Sequence, residues 1–274
     1  MASLRSQVEP GRYGPWAVIT GGSEGVGRSF ALRLAAAGIH LLLVARRPDP
    51  LEATAERCRT FGVEVRTLAT DLAQPAAAQA VTHAVSDVEV GLLVHNAGAN
   101  THSAPFLDGD SAAFQRVIDL NVTTPLALTA HFGRAMRTRR RGGILLVGSL
   151  AGYLGSRQHT VYGGVKAFGR IFAESLWLEL RDHDVDVLEL VLGVTRTPAM
   201  ERVGLDFDIP GMPVSDPDDV ADEGLAMLGH GPVHIVTGHE RLAAQRNDPD
   251  RAAAVLRADR TMRRLIGLPA PERA

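Results

Sequence analysis

The chain has 274 residues, 45% of them hydrophobic and 22% charged, with a formal net charge of −2. That composition excludes a disordered or fibrous protein, and the length suits one large domain over residues 1–274 with a sizeable core. The near-neutral charge excludes a global field drawing the chain to nucleic acid or anionic lipid, and a single cysteine, Cys58, excludes an internal disulfide.

From Trp16 onward, strand and helix patterns alternate. WAVIT is a short apolar run before a glycine turn. VGRSFALRLAAAG has apolar residues at helical spacing and ends at Gly38, a suitable C-cap. HLLLVA is continuously apolar, as a parallel strand covered on both faces should be. Pro48 opens a second helix that carries Cys58, read as an inert thiol on a surface helix. VEVRTLA is a third strand, PAAAQAVTHAVS a helix and VGLLVHNAG a fourth strand. One long helix is expected from about Ser111 to Arg137, followed by the strand GGILLVGS. Tyr162 to about Arg181 reads as a helix and VDVLELVLG as a sixth strand. Thr195 to Val214 is irregular, with Pro198, Gly204, Pro210, Gly211 and Pro213. A helix in PDDVADEGLAML, a seventh strand in VHIVTG and a terminal helix over about 248–266 complete the pattern, and the last residues, PAPERA, are expected to fray. The alternation predicts an α/β fold, a doubly wound and mainly parallel seven-stranded sheet with helices on both faces.

No stretch approaches the roughly 20 apolar residues of a membrane span. The polar N-terminus lacks the apolar run of a secretory signal, and one cysteine suits a reducing compartment, so a cytoplasmic location is expected.

TGGSEGVG, Thr20 to Gly27, lies between the first strand and the first helix, with Gly21, Gly25 and Gly27 in the spacing G-x-x-x-G-x-G. Glycines permit a tight turn and close backbone approach to a pyrophosphate, and the following helix N-terminus offers free N–H groups. A bare structural turn is the competing reading. The second strand ends with Ala45, Arg46 and Arg47, where an acid would hold a ribose 2′-hydroxyl. A guanidinium there suits a 2′-phosphate, so NADP(H) is expected over NAD(H), with NAD(H) possible. Solvated strand-end charges are the alternative, and Arg28 is a weaker second candidate.

These motifs resemble the short-chain dehydrogenase/reductase family over roughly residues 16–240. TGGSEGVG matches its cofactor turn, and HNAG, His95 to Gly98, its N-A-G stretch. Asn121 in LNVT, Ser149 in VGSLAG, and Tyr162 with Lys166 in YGGVK match its catalytic tetrad. The resemblance implies a Rossmann-like fold and oxidoreduction between a secondary alcohol and a ketone. It also implies the roles: Tyr162 as general acid or base, Ser149 bonding the reacting oxygen, Lys166 tuning Tyr162 and holding the nicotinamide ribose, and Asn121 supporting a water relay. Tyr162 and Lys166 share a helix face, and a nearby ammonium is expected to lower the tyrosine pKa. Cofactor contacts are expected from Gly21, Ser23, Glu24, Gly25, Val26, Gly27, Arg46, Asp71, Leu72, Asn96, Ala97, Gly98, Tyr162, Lys166, Val194, Thr195 and Thr197. Asp71 in TDL matches the residue that holds the adenine.

The chain departs from the family at Leu192, where P-G is usual, and at Glu24, where some NADP-dependent members carry arginine. Gly163 and Gly164 should loosen the catalytic helix. The segment 195–214, with Met200, Val203, Leu205, Phe207, Ile209 and Met212, resembles the family's substrate lid and suggests a lipophilic small molecule: a steroid, an acyl thioester or a polyketide-like ketone. Tyr153, His159 and Met200 are candidate substrate contacts; His159 also reads as a solvated loop histidine. No metal-ligand spacing is present, and RTRRRGG reads as solvated charge at a helix end. The arginine-rich terminal helix is expected to pack on a neighbour or subunit, the chain forming a homodimer or homotetramer. A sugar-nucleotide epimerase or dehydratase on a related fold, and a non-catalytic cofactor sensor, are the competing functions.

Overall fold

The structure is a computed structural model, described here for residues 8–209 and 211–265. Its centre is a seven-stranded sheet of β1 (Trp16–Thr20), β2 (His40–Ala45), β3 (Val65–Ala69), β4 (Val90–His95), β5 (Gly142–Ser149), β6 (Val185–Leu192) and β9 (Val233–Ile235). The strand order is β3-β2-β1-β4-β5-β6-β9, and every neighbouring pair is parallel. Order reverses between β1 and β4, which is where doubly wound sheets open a crevice at their carboxyl ends. The predicted sheet is thus present, with a separate pairing of β7 (Val194–Thr195) and β8 (Val214–Ser215) beside it.

Two apolar layers sandwich the sheet, because β1 and β4 are buried along their whole length and β2 from Leu41 to Ala45. On one face α2 (Gly25–Ala36), α3 (Pro48–Arg59) and α9 (Pro217–Met227) pack Phe30, Leu34, Leu51 and Val220 against Ile19, Leu41 and Leu43. On the other, α4 (Ala77–His83), α6 (Thr124–Arg139) and α7 (Thr160–Leu180) pack Val81, Leu128, Met136 and Ala173 against Val18, Leu42 and Leu93. Arg33 of α2 is 3% exposed and reaches Asp218 at 3.0 Å and Asp222 at 2.7 Å on α9, which satisfies its guanidinium. The short helix α1 (Pro10–Tyr13) precedes β1, and Tyr13 donates to Asp186 at 2.7 Å. Gly38 follows α2 with φ +86°, the left-handed conformation that ends many helices.

Three expectations need correction. The long helix from Ser111 is two helices, α5 (Ser111–Ile118) and α6, joined by a π-helical turn over Asp119–Thr123. Cys58 lies on the inner side of α3, fully buried, and burial pushes its thiol up to about 11. The 195–214 segment is partly ordered: α8 (Pro198–Arg202) lies between β7 and β8. Within that segment Pro210 is outside the described residues, as are residue 266 and the PAPERA tail. Two C-terminal helices, α10 (Glu240–Arg246) and α11 (Arg251–Leu265), follow β9. No helix among the described residues is long and apolar enough to cross a membrane.

Candidate active site

The glycine turn has the shape of an anion cradle. Gly21 and Gly25 adopt φ +69° and +54°, and a Cβ at Gly27 would collide with the Gly21 carbonyl. Helix α2 starts at Gly25, and its N-cap residue Glu24 makes no side-chain capping bond, so the first N–H groups of the helix are not capped from that residue. These features fit a dinucleotide pyrophosphate. Asn96 and Ala97 brace the turn from β4: Asn96 Nδ2 donates to the Thr20 and Gly21 carbonyls at 3.3 and 3.1 Å, and Ala97 N donates to Thr20 Oγ1 at 3.1 Å. The Ser23 carbonyl accepts from Thr54 at 3.0 Å. Val26 and Leu72 put their side chains into the two cores, so any ligand contact from them is through backbone. Asp71 holds the start of its turn, accepting from Ala73 N at 3.1 Å.

At the end of β2 the two arginines differ. Arg46 is exposed and has no hydrogen-bonded or ionic partner among the described residues. Arg47 pairs with Glu24 at 2.6 Å, and Arg202 of α8 pairs with the same carboxylate. The Arg202 hydrogen bond, with help from Arg47, holds the Glu24 carboxyl below its usual range against the cost of its burial.

Ser149, Tyr162, Lys166 and Asn121 meet at the carboxyl edge of β5. Ser149 is the last residue of that strand and accepts from Ala151 N at 3.1 Å, which starts the turn Leu150–Gly152. Gly152 abuts the Lys166 backbone, where a Cβ would lie 2.6 Å away, so the returning loop lies on α7. Ser149 stands near enough to the Tyr162 phenol to draw its pKa down. Lys166 Nζ donates to the Val147 carbonyl at 3.0 Å and stands 5.8 Å from the Tyr162 ring centroid. Asn121 sits in the π-helical turn, where its Nδ2 donates to the Val117 and Ala99 carbonyls at 2.9 and 3.3 Å. Gly98 makes the meeting possible: a Cβ there would lie 2.8 Å from Lys166 Nζ and 2.9 Å from Asn121 Oδ1.

The electrostatics correct one expectation. Burial raises the Tyr162 pKa, and Ser149 opposes the rise. Burial outweighs any lowering of the phenol, and Lys166 Nζ is turned to the Val147 carbonyl. Burial brings Lys166 itself down to about 8, opposed by the charge of Glu189. Glu189 on β6 was not anticipated. It is 2% exposed, and burial lifts it to about 7 against the pull of Lys166 and Arg170. Its sequence signal is a lone acid inside the apolar run VLELVL. His95, buried with its Nδ1 3.1 Å from Thr20 Oγ1, is kept neutral by burial and by Lys166.

The 195–214 segment meets the glycine turn directly. Thr197 Cγ2 would touch a Cβ at Gly25 at 3.0 Å, and its hydroxyl accepts from Met200 N at 3.3 Å. Val194 pairs with Val214, and Thr195 is buried with its hydroxyl lacking a partner. Met200 is half-buried on α8. His159 is exposed at the N-cap of α7, its ring 6.4 Å from that of Tyr162 and its Nδ1 3.2 Å from Ser156 Oγ. Tyr153, a candidate substrate contact, is 8% exposed, clusters with Leu150, Val191 and Ala243, and lies beneath the Arg170 guanidinium at 4.5 Å.

The C-terminal helices grip the catalytic loop. Arg246 donates to the Leu150 carbonyl at 2.7 Å and Arg251 to that of Tyr153 at 2.8 Å. Arg157 in the loop pairs with Asp259 of α11 at 2.6 Å, and Arg263 joins the same carboxylate at 3.1 Å. The terminal basic helix therefore has an intramolecular neighbour. Among the described residues no group of three or more His, Cys, Asp or Glu could hold a metal ion.

Comparison with known proteins agrees with this geometry. The chain is 30% identical over 227 residues to a 7beta-hydroxysteroid dehydrogenase of Collinsella aerofaciens, covering 80% of this chain and 84% of that one. It is 35% identical over 199 residues to a very-long-chain 3-oxoacyl-CoA reductase of Podospora anserina, covering 70% of this chain but only 58% of the relative. Among solved structures, a 7beta-hydroxysteroid dehydrogenase superposes with a TM-score of 0.82 at 27% identity, over 91% of this chain and 98% of that one. A short-chain dehydrogenase from Sphingobium yanoikuyae in complex with NADPH gives 0.76 at 30% identity, over 95% and 98%. The sequence profile described as short chain dehydrogenase matches residues 15–206, and the chain belongs to that family.

Proposed function

We propose that this chain is an NADP(H)-preferring oxidoreductase that interconverts a secondary alcohol and a ketone on a lipophilic small molecule. The observation that carries the reading is the meeting of Ser149, Tyr162 and Lys166 at the sheet edge that also holds the glycine cradle, with Lys166 Nζ 5.8 Å from the Tyr162 ring centroid. When bound, the nicotinamide cofactor supplies or accepts the hydride. The chain's own residues handle the proton and the positioning. Tyr162 gives its phenolic proton to the ketone oxygen in reduction and takes it back in oxidation. Ser149 donates to the same oxygen. Lys166 and Asn121 stand together beneath Gly98, where they can anchor a ribose and an ordered water.

The preference for NADP(H) is supported by the free guanidinium of Arg46 and by a neutral Ala45. The NADPH held by the Sphingobium protein supports it too. The lipophilic substrate is supported by the apolar lid and by the relatives' names, which set an alcohol or ketone on a steroid or a long acyl chain. A homodimer or homotetramer belongs to the same proposal, supported by Phe168, Ile171 and Leu178, which are exposed on one face of α7.

The test is NADPH consumption with a panel of oxosteroids, 3-oxoacyl thioesters and polyketide-like ketones. Turnover with at least one, lost by at least about 100-fold in Tyr162→Phe with cofactor affinity kept, is the expected result. A chain that binds NADPH but reduces no ketone, or a Tyr162→Phe variant with parental kcat, would overturn the reading.

A further inference from the structure

Strand β6 carries Asp186 near its start, held by Tyr13, and Glu189 in its apolar middle. Glu189 pairs in register with Leu146 of β5 and Val233 of β9, where an isolated carboxylate would be costly to bury. Two glycines make its seat. A Cβ at Gly148 would lie 2.5 Å from Glu189 Oε1, and one at Gly169 of α7 would lie 3.2 Å from it. The carboxyl thus fills a slot between β5 and α7.

Glu189 lines one cavity together with Lys166, Asn121 and His95. Glu189 Oε2, Asn121 Oδ1 and His95 Nε2 are all buried, and none has a hydrogen-bond partner among the described residues. Buried polar atoms are seldom left so, and three of them around one space is a wall built for water. The cavity volume is about 30 Å³. That is room for about two water molecules at the ~10–15 Å³ each needs. The charged groups that face Glu189 are Lys166 and Arg170 as cations and Glu174 as an anion, all on α7. Tyr153 feels its charge from the catalytic loop, and the neutral His95 faces the cavity from β4.

We propose that Glu189 is the internal proton-exchange partner of Lys166, acting across the water-sized cavity that both side chains line. The proposal rests on Lys166 being part of the catalytic set. In the forward step one N–H bond of the Lys166 ammonium breaks and an O–H bond forms at Glu189 Oε2, with cavity water carrying the proton. The reverse step recharges the lysine. No electrons are transferred, and the net charge of the pair is zero before and after, so the buried site bears no new net charge. Glu189 touches neither substrate nor cofactor and is a positioning residue that acts through Lys166.

The test uses the full chain and Glu189→Gln, which keeps the side-chain shape but cannot exchange a proton. Two readouts are taken: the infrared band of protonated carboxyl across neutral pH, without cofactor, and the pH profile of kcat in both directions. A band that titrates in the parent and is missing from the variant is expected. The variant should also lose about tenfold in kcat at unchanged KM, below the ~100-fold of a direct acid–base group, and its neutral-range limb should move. A parent without that band, or a variant with the parental pH profile, overturns the proposal; a merely structural carboxyl would leave the profile in place. If Glu189→Gln does not fold, Glu189→Asp, which withdraws the carboxyl from the cavity, is measured in the same way. A parent that turns over no ketone sinks the oxidoreductase reading and this inference with it. An active parent with an unmoved variant profile sinks this inference alone.

Discussion

Arg202, on the lid helix, holds the carboxylate of Glu24, in the glycine turn, with one of its two contacts at 3.0 Å. Arg47 pairs with that carboxylate at 2.6 Å. One acid therefore joins the cofactor turn, the end of β2 and the lid. A 2′-phosphate bound at the end of β2 would compete with Glu24 for Arg47. Glu24→Gln is expected to tighten NADPH binding about fivefold, the worth of ~1 kcal/mol at a half-exposed site, with NADH unchanged. Fluorescence titration with both cofactors measures this. An unchanged NADPH-to-NADH ratio would show that Glu24 does not compete for the phosphate.

Arg46 has no partner to give up among the described residues. Arg46→Ala should weaken NADPH about tenfold, near the lower end of a charge-assisted hydrogen bond at ~1.5 kcal/mol, and leave NADH alone. The effect should shrink with added salt, because the strand end is exposed. Equal losses for the two cofactors would reduce Arg46 to a solvated charge. Ala45→Asp combined with Arg46→Ile should reverse the preference in kcat/KM.

The pH dependence follows from the raised Tyr162 pKa. Oxidation of an alcohol needs the phenolate, so its kcat/KM should climb with pH and level off only above the ordinary tyrosine value of about 10. Reduction needs the neutral phenol and should stay flat through neutral pH, falling only on the alkaline side. Ser149→Ala removes the hydroxyl that opposes the rise and should push both limbs further up. A plateau in the oxidative direction at neutral pH would remove Tyr162 as the base of the free protein.

The lid should open between its anchors. Val194 and Thr195 are tied to Val214 and Ser215, whereas Val203 is 73% exposed. Hydrogen exchange without ligand should be fast over 199–209 and slower at Thr195 and Ser215. NADPH with a turned-over ketone should slow the middle. Equal, strong protection with and without ligands would mean a fixed cover.

Cys58 should not react with thiol reagents in the folded chain at neutral pH, since burial keeps the thiol protonated well above its ordinary value. Labelling should instead track unfolding in denaturant. Fast labelling of the native protein would place Cys58 on an accessible face.

Much of the site was legible in the sequence because its residues obey local rules. Gly21, Gly25 and Gly27 are required by backbone geometry, and Tyr162 and Lys166 share a face through helical spacing. The strands and their order of appearance followed from apolar runs and their punctuation. What escaped depends on contacts distant in sequence. The π-helical turn at Asn121 lies inside a continuous helical pattern, and its Nδ2 bonds to Ala99, 22 positions away, are not written in periodicity. Glu24 reads in the sequence only as a departure from an arginine of some family members, because nothing local places Arg202, 178 positions on, beside it. Glu189 looked like one odd letter in a strand until Gly148 and Gly169 were seen to leave it a slot. Tyr162's raised pKa reflects burial, which spacing to Lys166 does not report.

The family match stops at residue 206, whereas the arginines that hold the Leu150 and Tyr153 carbonyls begin at Arg246. The stretch matched by the family profile and the stretch that holds this loop are different parts of the chain. The matched stretch carries Tyr162 and the glycine cradle, and Arg246 and Arg251 of the tail hold the loop between Ser149 and Tyr162. A graft of another family member's last segment onto residue 239 would leave Tyr162 and Lys166 in place while tilting the loop that borders the ketone, so new substrate shapes become reachable without reinventing the reaction.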